Sequence, residues 1–345
     1  MKKNLFSIFQ SAIILLWMPI AFSSCEKIID FDPSMSQPAL VLNAVPSADK
    51  QLFVNFSYSH LFLDTSNYPP VNNVAMTVYV NGNPIRPAYT NRCNYFFDYT
   101  LQEDDNLSIR IIADNDTVTA STYVPRKPDI STPFVFDTSA SFRFRVINFN
   151  INDHPDYHDY YRITITQRDS GCRYRPYREI YDTIDTVFTT MFMCSDPALT
   201  ALTSQNDDFF SGTTASILGT HIFTQLLTDD KPFDGKRHNT TLYIMQLRDT
   251  NEVGYFLHQY TLNIETITPD RLSYLQSLNQ TTSPTQLITE PAAPYSNVNG
   301  ALGIFAGNAK YTYTLPLFSD TLTNPSSPRP AATKNNRPPR SRSSR

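Results

Sequence analysis

Met76-Thr77-Val78-Tyr79-Val80-Asn81-Gly82 decides the fold. Its first five residues are β-branched or otherwise strand-compatible and alternate with period two. The closing Asn-Gly is the strongest short-range hairpin signal, because both turn positions need φ > 0. Similar runs flank it. Upstream lie Ala39-Leu40-Val41-Leu42-Asn43-Ala44-Val45 and Leu52-Phe53-Val54-Asn55-Phe56-Ser57-Tyr58. Downstream come Asn94 to Tyr99, Leu107 to Ile112 and Thr117 to Val124, the last entered through Asp114-Asn115-Asp116. Pro125-Arg126-Lys127-Pro128 then breaks the pattern. Six or seven short strands in roughly 90 residues predict an immunoglobulin-like sandwich. Composition agrees: 23 Phe and 20 Tyr against 9 Gly is an aromatic-rich mixture suited to pleated, half-buried surfaces.

Beyond the break the strand signals continue at wider spacing. They are Phe142 to Phe149, Tyr160-Tyr161-Arg162-Ile163-Thr164-Ile165-Thr166, Ala215 to Phe223, Thr240 to Leu247 and Val253 to Thr266. Thr268-Pro269-Asp270 predicts the one helix: a capping Thr, Pro in the first turn and an acid at the positive dipole end, with Leu272, Leu275 and Leu278 on one face. The fold class is therefore all-β, an N-terminal immunoglobulin-like β-sandwich plus a larger β-rich second domain with one short helix. The expected organisation is a signal peptide (1–24), a lipid-anchored tether (25–37), the sandwich (38–125), the C-terminal β-rich domain (126–318) and a disordered basic tail (319–345).

The N-terminus carries the clearest functional signal. Lys2 and Lys3 precede a largely apolar run from Leu5 to Phe22, followed by Ser23, Ser24 and Cys25. A basic head, an apolar middle and small residues before the cut make a secretory signal. Gln10 and Pro19 interrupt the run, which is short of the about 20 apolar residues that span a bilayer. A Cys after two small residues looks like a bacterial lipobox, with Phe22 where Leu is commoner. Cys25 is the expected lipidation site: its thiol takes a diacylglycerol and the new N-terminus is acylated, giving a stable anchor. The expected location is the outer membrane.

Net charge is −4, but Arg329, Lys334, Arg337, Arg340, Arg342 and Arg345 all lie in the Pro/Ser-rich tail. The rest is strongly acidic, which argues against nucleic acid as a partner. In an oxidising compartment Cys172 and Cys194, flanking a hairpin-like segment, are expected to form a disulfide, and Cys93 to be a buried small hydrophobe.

Chemistry-bearing motifs are sparse. Nucleophile elbow, zincin helix and Gly-rich phosphate loop are all missing, so no catalytic residues and no cofactor are expected. Asp153-His154-Pro155-Asp156-Tyr157-His158-Asp159 is rich in metal-ligating types. Pro155 prevents a regular helical His face, however, and the stretch reads as a polar loop before a strand. Asp229-Asp230-Lys231-Pro232-Phe233-Asp234-Gly235 lacks EF-hand spacing and reads as a turn. No metal site is expected from either. The best candidate ligand- or partner-binding surface is an aromatic–basic hairpin: Arg173, Tyr174, Arg175, Tyr177, Arg178 and Tyr181. It suits stacking on a sugar or gripping an acidic partner, and equally plain cross-strand pairing with solvated arginines.

Several segments together resemble one family. They are Cys25-Glu26-Lys27-Ile28-Ile29-Asp30-Phe31, the Leu40–Ala44 strand, Asp159-Tyr160-Tyr161-Arg162-Ile163, Phe233-Asp234-Gly235-Lys236, the helix from Thr268 to Leu278, and Pro294-Tyr295-Ser296-Asn297-Val298-Asn299-Gly300-Ala301-Leu302-Gly303-Ile304-Phe305. The pattern is similar to the DUF4249 lipoproteins of Bacteroidota and runs to about Phe318, with Ala301 where a second Gly is expected. The resemblance implies an envelope lipoprotein with no assigned chemistry, acting as a non-enzymatic accessory of a TonB-dependent receptor. A surface glycan- or protein-binding adhesin is the alternative, and a hydrolase the remotest reading.

Overall fold

The computed structural model describes residues 38–60, 67–113, 116–138, 144–175, 180–200, 202, 221–245, 253–281, 293–316 and 318–321. The signal segment, Cys25, the tether and residues 322–345 lie outside them, while residues 319–321, expected to open the disordered tail, belong to a strand paired in the second region.

The first eight strands are β1 (Leu40–Ala44), β2 (Gln51–Tyr58), β3 (Val74–Val80), β4 (Asn83–Ile85), β5 (Tyr89–Asn91), β6 (Asn94–Thr100), β7 (Asn106–Ala113) and β8 (Asp116–Tyr123). They form two sheets, β1-β2-β6-β5 and β4-β3-β7-β8. Lettered in chain order, these are strands A-B-E-D over C′-C-F-G, the immunoglobulin-like arrangement. Alternation drives it: inward residues such as Val54, Phe56, Val78, Phe97, Ile109 and Ile111 are buried in one core, while their neighbours face out. The Asn81-Gly82 turn behaves as its sequence requires. Asn81 has φ 50° and Gly82 φ 82°, and Val80 pairs with Asn83 across a two-residue loop.

The second region contains β9 (Asp129–Ile130), β10 (Phe134–Asp137), β11 (Phe144–Asn152), β12 (Tyr160–Arg175), β13 (Ile180–Thr190), β14 (Phe192–Cys194), a single helical turn α1 (Pro197–Thr200), β15 (His221–Phe223), β16 (Gln225–Asp229), β17 (Arg237–Met245), β18 (Val253–Ile267), helix α2 (Pro269–Thr281), β19 (Leu302–Phe305), β20 (Asn308–Thr314) and β21 (Phe318–Thr321). It too is a sandwich. One sheet is β10-β11-β17-β14-β15 with β9 on β11; the other is β13-β12-β18-β20 with β16 on β12 and β21 on β18. Ile147, Phe149 and Ile151 of β11 meet Tyr161, Ile163 and Ile165 of β12 in its core. Helix α2 lays Leu272 and Leu275 over Leu227 and Ile267 in a smaller cluster.

Two expectations are corrected here. Thr268 occupies the cap position, its carbonyl accepting from Leu272 N–H at 3.0 Å, but its buried hydroxyl makes no hydrogen bond. Pro269 and Asp270 carry the helix start instead. The Cys172–Cys194 disulfide is not formed. The β12–β13 register sets Cys172 opposite Thr183, whereas Cys194 lies beyond the hairpin on β14 of the other sheet, a free thiol in the core. Burial pushes the Cys194 thiol up to about 11. Cys93 is buried and free, as expected.

One strand crosses the boundary near residue 125. β19, near the end of the sequence, returns to the first sandwich and pairs in parallel with β1, Val41 opposite Leu302 through Ala44 opposite Phe305. Gly303 makes this possible. Its φ is +114°, and a Cβ there would stand 2.1 Å from the Leu42 carbonyl oxygen. Asn297 fixes the returning segment by exchanging two hydrogen bonds with the Phe305 backbone, both 2.9 Å. The Pro294–Phe305 motif is thus a folding device.

Candidate functional site

The linker and the loop between β11 and β12 face each other across a cleft of about 590 Å³. Tyr123, Pro125, Arg126 and Pro128 form one wall with Asp104 and Asn106 of the first sandwich. Asp153 to Asp159 form the other, and Tyr161 lines it as well. Arg126 joins the two sides. Its Nε donates to Asp104 at 2.8 Å while its guanidinium lies over the Tyr157 ring at 4.3 Å. Lys127 pairs with Asp49.

Local sequence explains the second wall. Pro155 and the polar run around it cannot continue β11, so the chain turns and crosses to the other sheet at Tyr160. Alternation then sends Tyr161 inward. The Tyr161 hydroxyl donates to Asp153 Oδ1 at 2.8 Å, and its ring stacks on Phe233, which stacks on His238 at 4.6 Å. His238 Nε2 lies 2.6 Å from Asp196 Oδ2. The turn from Asp230 to Lys236, closed by backbone bonds from Phe233 N–H to Asp230 and from Lys236 N–H to Phe233, delivers Gly235 N–H to Asp153 Oδ2 at 2.8 Å. Asp230 Oδ2 accepts from Asp159 N–H, and His158 lies against Asp230 Oδ1.

The two stretches that read as separate turns therefore meet. One ligand oxygen each from Asp153, Asp159 and Asp230 lies within 4.8 Å of the others. The crowding of acids shows in their proton affinities. Burial, then the charges of Asp153 and Asp230, push Asp159 up to about 6. Burial also raises Asp153, against the lowering bonds from Gly235 and Tyr161. Tyr161 is raised by burial and by all three acids.

Both Asp153 oxygens are hydrogen-bonded within the protein, and Asp230 is fully buried.

The expected aromatic–basic surface lies elsewhere. The register sets Tyr174 opposite Tyr181, Arg173 opposite Asp182 and Arg175 opposite Ile180. Tyr177 and Arg178 fall outside the described residues. This hairpin end is at the far end of β12 from Tyr161, about 45 Å away at ~3.3 Å per residue, so the two sets do not combine. In the sequence Tyr123 looks like the end of a strand, Arg126 like a linker residue and Tyr161 like a core strand position, so none of the three stands out there. A Tyr at an inward position beside an acidic loop is the signal that points to the cleft.

Comparison with known proteins adds the family. Among curated proteins none matches this chain. The crystal structure of collagen adhesin (CNA) from S. aureus aligns over 81% of this chain and 95% of that chain, at 9% identity and a TM-score of 0.16, too low to support an argument. The model of the domain of unknown function DUF4249 matches residues 26–314, nearly all of both sandwiches, and the chain belongs to that family.

Proposed function

We propose that this protein is an outer-membrane lipoprotein, anchored through Cys25, that serves as a non-enzymatic binding component of a TonB-dependent receptor uptake system. The observation that carries the reading is the N-terminal sequence: a basic, apolar, small-residue signal ending in Cys25, a short way ahead of β1 at Leu40. The body beyond the anchor suits a binding part. Two sandwiches are tied by the linker, by Arg126 and by the returning β19, with a cleft of mixed charge and tyrosine between them.

The test is a mild-detergent pull-down of the natively lipidated protein with mass spectrometry of its companions. A TonB-dependent receptor in stoichiometric amount is the expected result, and Cys25→Ala should release the protein from the outer-membrane fraction. A wild-type protein that comes down alone overturns the accessory role and redirects the search to glycans and matrix proteins.

A further inference from the structure

We propose that the outer face of the β1-β2-β6-β5 sheet is a binding platform for a neutral carbohydrate, which lies on the rings of Phe53, Phe96 and Tyr89 and is hydrogen-bonded by the asparagines beside them. The role of such a platform in uptake rests on the binding-component reading; its existence does not.

Strand register builds two rows across this face. Phe53 of β2 stands opposite Phe96 of β6, and Phe96 opposite Tyr89 of β5. Two residues along the strands, about 7 Å away, Asn43 of β1 stands opposite Asn55, Asn55 opposite Asn94, and Asn94 opposite Asn91. The pleat keeps both rows on the outer side, because the alternate positions, Val54 and Tyr95, belong to the core.

The rings form one continuous surface. Tyr89 stacks flat on Phe96, centroids 4.4 Å apart and planes 9° from parallel, and Phe53 tilts against Phe96 at 5.1 Å. Tyr89 is 61% exposed and Phe53 41%, and β5 is the sheet's edge strand, so the face of Tyr89 turned away from Phe96 is open. Cross-strand pairing accounts for rings beside rings. It does not account for the asparagines. Asn is depleted in strands, yet four share one row here, and little of their hydrogen-bonding capacity is used. Asn55 donates to Asn94 at 2.8 Å, while among the described residues the side chains of Asn43 and Asn91 make no hydrogen bond. A row that costs strand propensity and leaves its amides open departs from the logic of folding, and such departures gather at functional sites.

The chemistry of the two rows selects the occupant. Flat rings offer apolar faces to the C–H face of a sugar ring, and each amide offers two donors and an acceptor to its hydroxyl groups. Neither row holds a charged residue, which fits a neutral ligand and gives an anionic membrane surface nothing to pair with. A short oligosaccharide lying along the strands reaches both rows at once.

The experiment uses the full lipidated chain in a mild, sugar-free detergent, run through native gels cast with xyloglucan, galactomannan, glycogen or mixed-linkage β-glucan, all neutral. At least one should retard the protein relative to a gel without polysaccharide. Tyr89→Ala should weaken that binding about tenfold, and Tyr89→Phe should keep it. Asn91→Ala should weaken it about fivefold, the worth of one hydrogen bond. Both residues are exposed, so these variants should melt with the wild type; should Tyr89→Ala disturb β5, Phe53→Ala repeats the test from β2. Phe134→Ala removes a similarly exposed ring from β10 of the second sandwich and should leave retardation unchanged. No retardation in any gel overturns the platform. So does retardation that survives both Tyr89→Ala and Phe53→Ala, or a dimer in sedimentation that Tyr89→Ala dissolves, which gives the face to a second copy. A receptor captured without sugar binding removes the platform alone, and sugar binding without a receptor removes only the uptake role.

Discussion

The two sandwiches share an architecture but are wired differently. In the first, most pairings join strands close in sequence: β3 to β4, β5 to β6, β7 to β8. In the second, the central pairings are long-range. β11 lies against β17, Phe144 opposite Met245 through Asn152 opposite Arg237, and β12 runs along β18 from Tyr160 opposite Ile267 to Tyr174 opposite Val253. Long-range pairing costs more loop closure before it returns any stability. It also brings together residues that local sequence keeps apart. That is why the acidic trio lies in the second sandwich: Asp153 and Asp159 arrive at the ends of β11 and β12, Asp230 at the end of β16.

The largest expected effect breaks the strand pairing that ties the sandwiches together. Gly303→Ala puts a Cβ against the Leu42 carbonyl at a backbone angle L-residues rarely adopt. The expected cost is about 3 kcal/mol, or roughly 5 °C in a protein this size. Calorimetry should show more than a shift: the single transition of the wild type should split as the β19–β1 tie is lost. One unsplit transition in the variant would show that β19 is incidental to the coupling.

Next comes a change confined to the second sandwich. Arg145 is 5% exposed and donates to Asp137 at 3.0 and 3.3 Å and to the Pro316 carbonyl at 3.0 Å. Arg145→Ala should cost about 2 kcal/mol, less than for a fully buried pair because Asp137 keeps part of its hydration. Lys should rescue it poorly, since an ammonium cannot reproduce the two-pronged contact. In a Gly303→Ala background only one of the two transitions should move, and denaturant unfolding followed by calorimetry decides whether it does.

The same contrast sets what the sequence could disclose. Val78, Val80, Asn81 and Gly82 announce a local hairpin whose partners are a few residues away, so the first sandwich is legible almost strand by strand. Inward and outward alternation is equally clear at Tyr160 to Thr166, but nothing local says that β12 pairs with β18 on one side and with β13 and β16 on the other. Short strands such as β9 and β16 exist only because a neighbour receives them. The disulfide expectation fails for a related reason. A pair of cysteines around a hairpin-like segment reveals nothing of where its return strand ends: β13 stops at Thr190 with Thr183 opposite Cys172, and Cys194 lies past it on β14 of the other sheet. The site is half legible: both acidic stretches stand out by composition, while their meeting depends on the β11–β17 and β12–β16 registers.

A smaller effect sharpens the comparison at the trio. Asp159 is pushed up to about 6 from the ordinary 3.8, by burial first and then by Asp153 and Asp230. The folded state therefore holds its proton more tightly than the unfolded chain does. Its contribution is most favourable below about pH 4, is lost as pH rises toward 6, and stays lost above. Asp159→Asn should be as stable as wild type near pH 4 and more stable at pH 7.5. Solvent screening on the partly exposed side chain holds the gain to about 1 kcal/mol. Urea melts at the two pH values check it, and a variant less stable at pH 7.5 would show that the carboxylate is held by attraction the cluster does not display. The first sandwich's buried carboxylate, Asp105, stands alone among donors, accepting from Asn81, Tyr99 and the Gln102 backbone N–H.

The smallest expected effect is none at all. Cys93 and Cys194 are buried free thiols, and burial raises both, so little thiolate exists at neutral pH to react. Dithiothreitol should leave the melting temperature unchanged, and a maleimide should reach Cys93 and Cys194 only after unfolding, one in each sandwich. A reductant-induced loss of several degrees would mean that a disulfide does form, and that the β12–β13 hairpin adopts a register other than the one that places Thr183 opposite Cys172. Labelling during the Gly303→Ala melt carries the comparison furthest. If the sandwiches unfold separately, the two thiols should open at two temperatures, and which opens first identifies the sandwich that depends on the other.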